Sequence, residues 1–164
     1  WNPAVKNESD RVAIVDALKD NTIDVIATDH APHTLAEKQQ NYAQAPSGGP
    51  LVQHALLALM ELVSRNEISI EKMVEKTSHA VADCFNLENR GFLREGYFAD
   101  LVLIDPNKKQ KIIREDLNYK CGWSPFEGDQ FSSEVKSTFI NGNLVYDNKQ
   151  FIGNTMGMSL TFAR

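Results

Sequence analysis

Basic charge, cysteine, histidine and long apolar runs are all scarce in this sequence. Lys and Arg number 17 against 22 Asp and Glu, giving a net charge of −5. No basic stripe exists to neutralise phosphates, which excludes general nucleic-acid binding. The longest basic run, Lys108-Lys109-Gln110-Lys111, follows Asp105-Pro106-Asn107 and reads as a solvated loop. The two cysteines, Cys84 and Cys121, form no C-x-x-C. That excludes a thiolate zinc site and fits a reducing cytoplasmic compartment. Cys84, in Val81-Ala82-Asp83-Cys84-Phe85, is expected to be a small buried hydrophobe. The apolar run Leu56 to Met60 is too short to span a membrane, and no signal peptide is visible. There is no internal repeat or low-complexity tract. The four histidines are His30, His33, His54 and His79, and none forms His-x-His. No initiator Met is present. The opening Trp1-Asn2-Pro3 reads as a loop that belongs after another element, so a fragment or processed piece is expected.

What is present is enough for one domain or parts of two: 164 residues, 42% of them hydrophobic. The stretch Val25-Ile26-Ala27-Thr28-Asp29-His30-Ala31-Pro32-His33 stands out. Four apolar or β-branched residues before a polar cluster predict a buried parallel strand ending in a site. In parallel α/β sheets, ligands bind beyond the carboxyl ends of the strands, and Asp29 falls there. Its carboxylate could hold a metal or move a proton, and His30 and His33 could meet a metal, a substrate or a carboxylate. Taken alone, the same residues also suit a plain turn whose Asp caps a helix.

Around this stretch the chain alternates helix and strand. Ser9 or Asp10 is expected to cap a helix to about Lys19, with Val12, Ile14, Val15 and Leu18 as its apolar side. After a polar stretch, Thr34 to Gln44, the loop Ala45-Pro46-Ser47-Gly48-Gly49-Pro50 offers backbone amides that could bind an anion or carbonyl, or could simply connect. Pro50 suits a first helical turn, and Leu51 to Arg65 predicts a largely buried helix. His54 within it reads as a core or interface histidine. Ser69 is expected to cap a helix through Lys76, and Ser78 another through Phe85. From Gly91 onward strands prevail: Ala99 to Ile104, Lys111 to Arg114, and Glu134 to Ile140 with Asn143 to Tyr146 about an Asn141-Gly142 turn. Phe151 to Gly153 adds a short strand, and Trp123 to Gly128 is an irregular aromatic loop.

These residues together resemble the carboxyl-terminal part of the dihydroorotases, within the amidohydrolase superfamily. Ile23 through His33 is very close to that family's signature at its last barrel strand, and Asn2-Pro3 is similar to the segment before it. Lys38 and Pro46-Ser47-Gly48-Gly49 stand in the expected places. Ala99-Asp100-Leu101-Val102, Ser124-Pro125-Phe126-Glu127-Gly128 and the Asn141-Gly142 hairpin are also similar. The resemblance implies an α/β chain. Residues 1–90 would form the last part of a metal-bearing (β/α)8 TIM-type barrel. Residues 91–164 would form a mostly-β flanking domain and tail.

The activity it implies is reversible hydrolysis of L-dihydroorotate to N-carbamoyl-L-aspartate in pyrimidine biosynthesis, with zinc as cofactor. Asp29 would be both metal ligand and catalytic general acid/base. Asn2, His33, Ser47 and Gly48 would bind substrate, and His30 would support the site from behind. Two departures matter. The family's His-x-His pair, bridging lysine carbamate and further histidines are not in these residues, and one carboxylate cannot supply the roughly four ligands of a zinc site. A full barrel also needs about 250 residues. The 164-residue chain alone is therefore expected to be inactive. Its Val25, Ile26 and Leu56 surfaces would lack partners and favour homo-oligomers. Two other readings remain at this point: an allantoinase or dihydropyrimidinase relative, and a non-catalytic structural partner of aspartate transcarbamoylase.

Overall fold

The computed structural model describes residues 3–154 and 157–163. Asn2, expected to meet substrate, lies outside the described residues. Helix α1 spans Glu8–Lys19 with Asn7 as its N-cap. Asp10 accepts the Asn7 backbone N–H at 3.0 Å, so the acid expected to start the helix instead ties it off from inside. Val15 and Leu18 are its buried residues. Val12 and Ile14, expected on the same face, lie to either side of that stripe and are about two-fifths exposed. Arg11 pairs with Glu8 at 2.6 Å and also with Glu67, fastening α1 to the loop after the third helix.

Asn21, at φ 67°, turns the chain out of α1. Residues 24–29 then carry no regular secondary structure and join no ladder. The Ile26 N–H donates to the Lys76 carbonyl at 3.0 Å, and a lone parallel bridge links His30 to Gly49. The strand expected here is thus not formed among the described residues. A parallel strand needs at least one neighbouring strand, reached by a crossover connection, and local sequence cannot supply it. Val25 and Ile26 are half-buried.

A single turn, α2 (Leu35–Lys38), is capped by Thr34 and Glu37 in reciprocal hydrogen bonds. Helix α3 spans Ala55–Ser64 and starts later than its apolar pattern predicts. The backbone N–H groups of Leu51, Val52 and Gln53 donate to side chains, the first two to His30 Nδ1 and the third to Tyr119 Oη, so residues 51–54 form a turn. α3 is nonetheless the centre of the molecule, because its two sides feed two cores. Met60 packs with Val15, Ile68 and Met73, with Leu56 half-buried against them. Leu57 packs with Ile112 and Phe131.

Helix α4 (Ile70–Val74) is capped by Ser69, whose hydroxyl accepts from the Lys72 N–H. It runs through a π turn, Glu75–His79, directly into α5 (Ala80–Cys84). Ser78, expected as a cap, therefore sits mid-helix, with the Ala80 N–H reaching back to the Glu75 carbonyl. Cys84 is exposed rather than buried. Ala82 is the inward residue of α5, and two positions on a helix point roughly 200° apart.

The remainder is antiparallel β. A four-stranded sheet has the order β1-β4-β5-β6, from Leu101–Asp105, Glu134–Ile140, Asn143–Asp147 and Gln150–Phe151. β2 (Gln110–Lys111) pairs with β3 (Gln130–Phe131) in a second, small sheet. Asn141 and Gly142, at φ 52° and 79°, make the two-residue β4–β5 turn, matching the right-handed strand twist. The strand expected over Lys111 to Arg114 is cut short, since Arg114–Asp116 coils into a 3-10 turn. Segment 157–163 returns to the helical side, where the Glu88 N–H donates to the Thr161 carbonyl at 3.0 Å and the Ala163 N–H to that of Asn86 at 2.9 Å.

Candidate active site

The site is built from backbone first. Asp29 sits at φ 44°, in the left-handed region that few non-glycine residues adopt. It is exposed, and it ends the irregular segment 24–29. The bend it creates delivers His30 to the bridge with Gly49. The Ala31 N–H then donates to the Gly49 carbonyl at 3.1 Å, and the His33 N–H to the Ala31 carbonyl at 2.9 Å. The Asp29–His33 turn and the Pro46–Gly49 loop are therefore one knitted unit. Gly48 is the tightest point of it. Its φ is +100°, and a Cβ there would lie 2.6 Å from the Ala31 Cβ.

Three further groups hold this unit. The Lys38 ammonium donates to the Pro46 carbonyl at 2.6 Å and the Gly48 carbonyl at 2.9 Å. The Trp123 indole N–H donates to the His33 carbonyl at 2.8 Å, across 90 residues of chain. His30 uses Nδ1 to accept the Leu51 N–H at 3.0 Å, which places its proton on Nε2 in the neutral ring. Its ring centroid lies 5.5 Å from that of Tyr119.

Electrostatics near the unit are set by local partners. The Thr34 hydroxyl and N–H hold the Glu37 carboxyl below its usual range. Burial pushes the Tyr119 phenol up, keeping it protonated while its oxygen accepts the Gln53 N–H at 2.8 Å. His54 is 2% exposed among Tyr119, Phe126 and Phe131, with Ser124 Oγ at 3.4 Å from Nδ1. Burial lowers its pKa. It is a core histidine, as its apolar surroundings imply.

The structure thus brings Asp29, His30, His33, Ser47 and Gly48 into one assembly, with Ser47 exposed and Gly48 buried. Trp123 and Tyr119 were not legible as site residues. Their only signal is aromatic side chains in an otherwise polar, irregular stretch. Among the described residues, no three of His, Cys, Asp and Glu converge to hold a metal ion. Asp29 offers one carboxylate, short of the roughly four ligands zinc takes, so these residues by themselves do not fit a complete metal centre.

Several known proteins resemble this chain in sequence and in fold. A dihydroorotase of Clostridium acetobutylicum is 44% identical over 149 residues, covering 90% of this chain and 35% of that protein. One from Halobacterium salinarum is 42% identical over 146 residues, covering 89% and 34%. The chain spans about a third of the length of these curated relatives. Among solved structures, the dihydropyrimidinase of Brevibacillus agri superposes with a TM-score of 0.84 at 29% identity, over 93% of this chain and 34% of that one. A D-hydantoinase from Thermus sp. superposes at 0.86 and 24% identity, over 94% and 35%, a likeness of fold. The fold is thus the α/β architecture of part of an amidohydrolase barrel enzyme with its mostly-β flank. The amidohydrolase family model matches residues 3–145, and the chain belongs to the amidohydrolase family.

Proposed function

We propose that this chain forms one wall of a dihydroorotase active site, catalysing reversible hydrolysis of L-dihydroorotate to N-carbamoyl-L-aspartate. The observation that carries the reading is the knitted unit: Asp29 and His33 on one turn, bonded through Ala31 and His30 to the Pro46–Gly49 loop. A cyclic amide with a carboxylate substituent needs three things: a base beside the attacked carbonyl, a cation or imidazole for the carboxylate, and polar backbone for the ring. The unit can offer all three side by side. In this reading Asp29 takes a proton from the attacking water as the new C–O bond forms. It returns that proton to the ring nitrogen as the C–N bond breaks. His33 meets the substrate carboxylate, Asn2 adds a polar contact, and Ser47 and Gly48 border the ring. His30 acts behind the turn by fixing residues 51 and 52.

The reading takes residues 1–90 as the barrel part and 91–164 as the β part. It places the enzyme in the cytoplasm, as a homo-oligomer with zinc as cofactor and Asp29 as one ligand. Relatives named dihydroorotase at 42–44% identity support this substrate over dihydropyrimidines or allantoin. They also favour an enzyme over a non-catalytic partner of aspartate transcarbamoylase.

The test is D29N in the full-length protein, assayed on dihydroorotate, dihydrouracil and allantoin. Turnover of dihydroorotate by the parent is expected, with a loss of about 10²–10⁴-fold in kcat for D29N. Asp29 is exposed, so the fold should be unaffected. Preference for another ring, or an active D29N, would refute the reading.

A further inference from the structure

Lys38 carries an inference that rests on the dihydroorotase reading and goes beyond it. It projects from the end of the single turn α2 and is half-buried. Among the described residues no carboxylate is recorded within ion-pairing distance of its ammonium group. It donates to two backbone carbonyls, 2.6 Å to Pro46 and 2.9 Å to Gly48. A charged donor on a neutral carbonyl makes a stronger hydrogen bond than an amide does. The two carbonyls flank Ser47, so the lysine clasps the loop from both sides of its exposed residue.

The loop needs such a clasp. The loop is also bridged to His30 and Ala31, and Gly48 contributes no side chain of its own. Glycine at φ +100° is also the residue with the most freedom to leave that conformation. The Thr34–Glu37 capping box fixes the turn from which Lys38 reaches. The clasp is thus supported at its base.

We infer that Lys38 is a positioning residue for the substrate: it locks the Pro46–Gly49 loop in the geometry that meets the ring. It touches neither the reacting bond nor Asp29. Its loss therefore raises KM much more than it lowers kcat.

The test uses the full-length protein with K38M and K38R. For K38M the expected result is a KM for dihydroorotate raised about 10-fold or more, with kcat within about threefold. K38R, which keeps the charge but spreads its donors, should recover part of the KM. Amide exchange at Ser47, Gly48 and Gly49 should be about 10-fold faster in K38M, with the melting temperature lowered by no more than about 4 °C. Unchanged KM and unchanged exchange would overturn the proposal, as would equal losses in kcat and KM. If K38M does not fold, K38R decides alone: a KM and loop exchange equal to the parent's overturn it. If the parent does not turn over dihydroorotate, the dihydroorotase reading fails, and the exchange measurement still judges the clasp.

Discussion

Replacing Gly48 with alanine tests the knitted unit most directly. The new Cβ would stand 2.6 Å from the Ala31 Cβ, with the Ala31 carbonyl oxygen and Cα at 3.5 and 3.7 Å. Only the first contact is impossible, so the steric cost is that of one overpacked methyl pair, about 1–2 kcal/mol. The φ of +100° adds a second cost of about 1–2 kcal/mol for any residue with a Cβ. Together these predict a loss of about 3 kcal/mol, or roughly 6–12 °C in melting temperature for a chain of this size. The two costs are separable. A31G removes the methyl that is struck but leaves the backbone strain. G48A/A31G should therefore recover about half the loss, a coupling of about 1–2 kcal/mol in a double-mutant cycle. Thermal denaturation of the four proteins, followed by circular dichroism, supplies the numbers. A G48A protein melting within about 2 °C of the parent, or a cycle with no coupling, would refute the close approach of loop and turn.

Other expectations follow from contacts at greater range. W123F removes the donor to the His33 carbonyl at 2.8 Å. It should cost about 1 kcal/mol in denaturant unfolding and raise KM for the proposed substrate in the full-length protein. Unchanged values in both would count against Trp123 as an anchor. Burial holds the His54 imidazole below its ordinary 6.5, so the unfolded chain takes up that proton first as pH falls. The stability this neutral ring contributes is complete above pH 6.5 and is lost as pH drops from there through its lowered folded value. Denaturation midpoints from pH 7.5 to 5 should fall in the parent and flatten in H54N; parallel curves would refute the assignment. The 164-residue chain by itself should bind zinc no tighter than about millimolar and show no turnover, because Asp29 stands without two further ligands among the described residues. Calorimetric titration and an activity assay check this, and robust turnover by the isolated chain would overturn it.

Much of this was legible where local chemistry decides. The apolar residues of α3, the Asn141-Gly142 hairpin and the burial of His54 each follow from a few neighbouring residues. The polar cluster Asp29–His33 stands out the same way, as the end of an apolar run, although that run forms no strand. What escaped the sequence depends on partners far along the chain. The segment at Val25 lacks, among the described residues, the neighbours that would make it a strand. The start of α3 is delayed by His30 and Tyr119, 21 and 66 residues from their partners. Cys84 was misplaced because the π turn shifts the phase of α5, and no composition signal marks an i→i−5 bond.

That π turn has a consequence in the currency of insertions and deletions. A single extra residue in a helix is the simplest origin of such a turn. Its removal between Glu75 and His79 would leave an unbroken α-helix with better hydrogen bonds. It would also rotate everything after it by about 100°. Ala82 would swing out from beneath Gly91, whose backbone passes so close that a Cβ there would meet Ala82 at 2.4 Å. The loop 85–98 would lose its seat, and with it the footing of Arg90 on Asp100 and Asn141 at the head of the sheet. One residue of helical irregularity thus sets the angle at which the two halves of the chain meet. A lineage could add or lose residues in the surface loops far more freely than at this position.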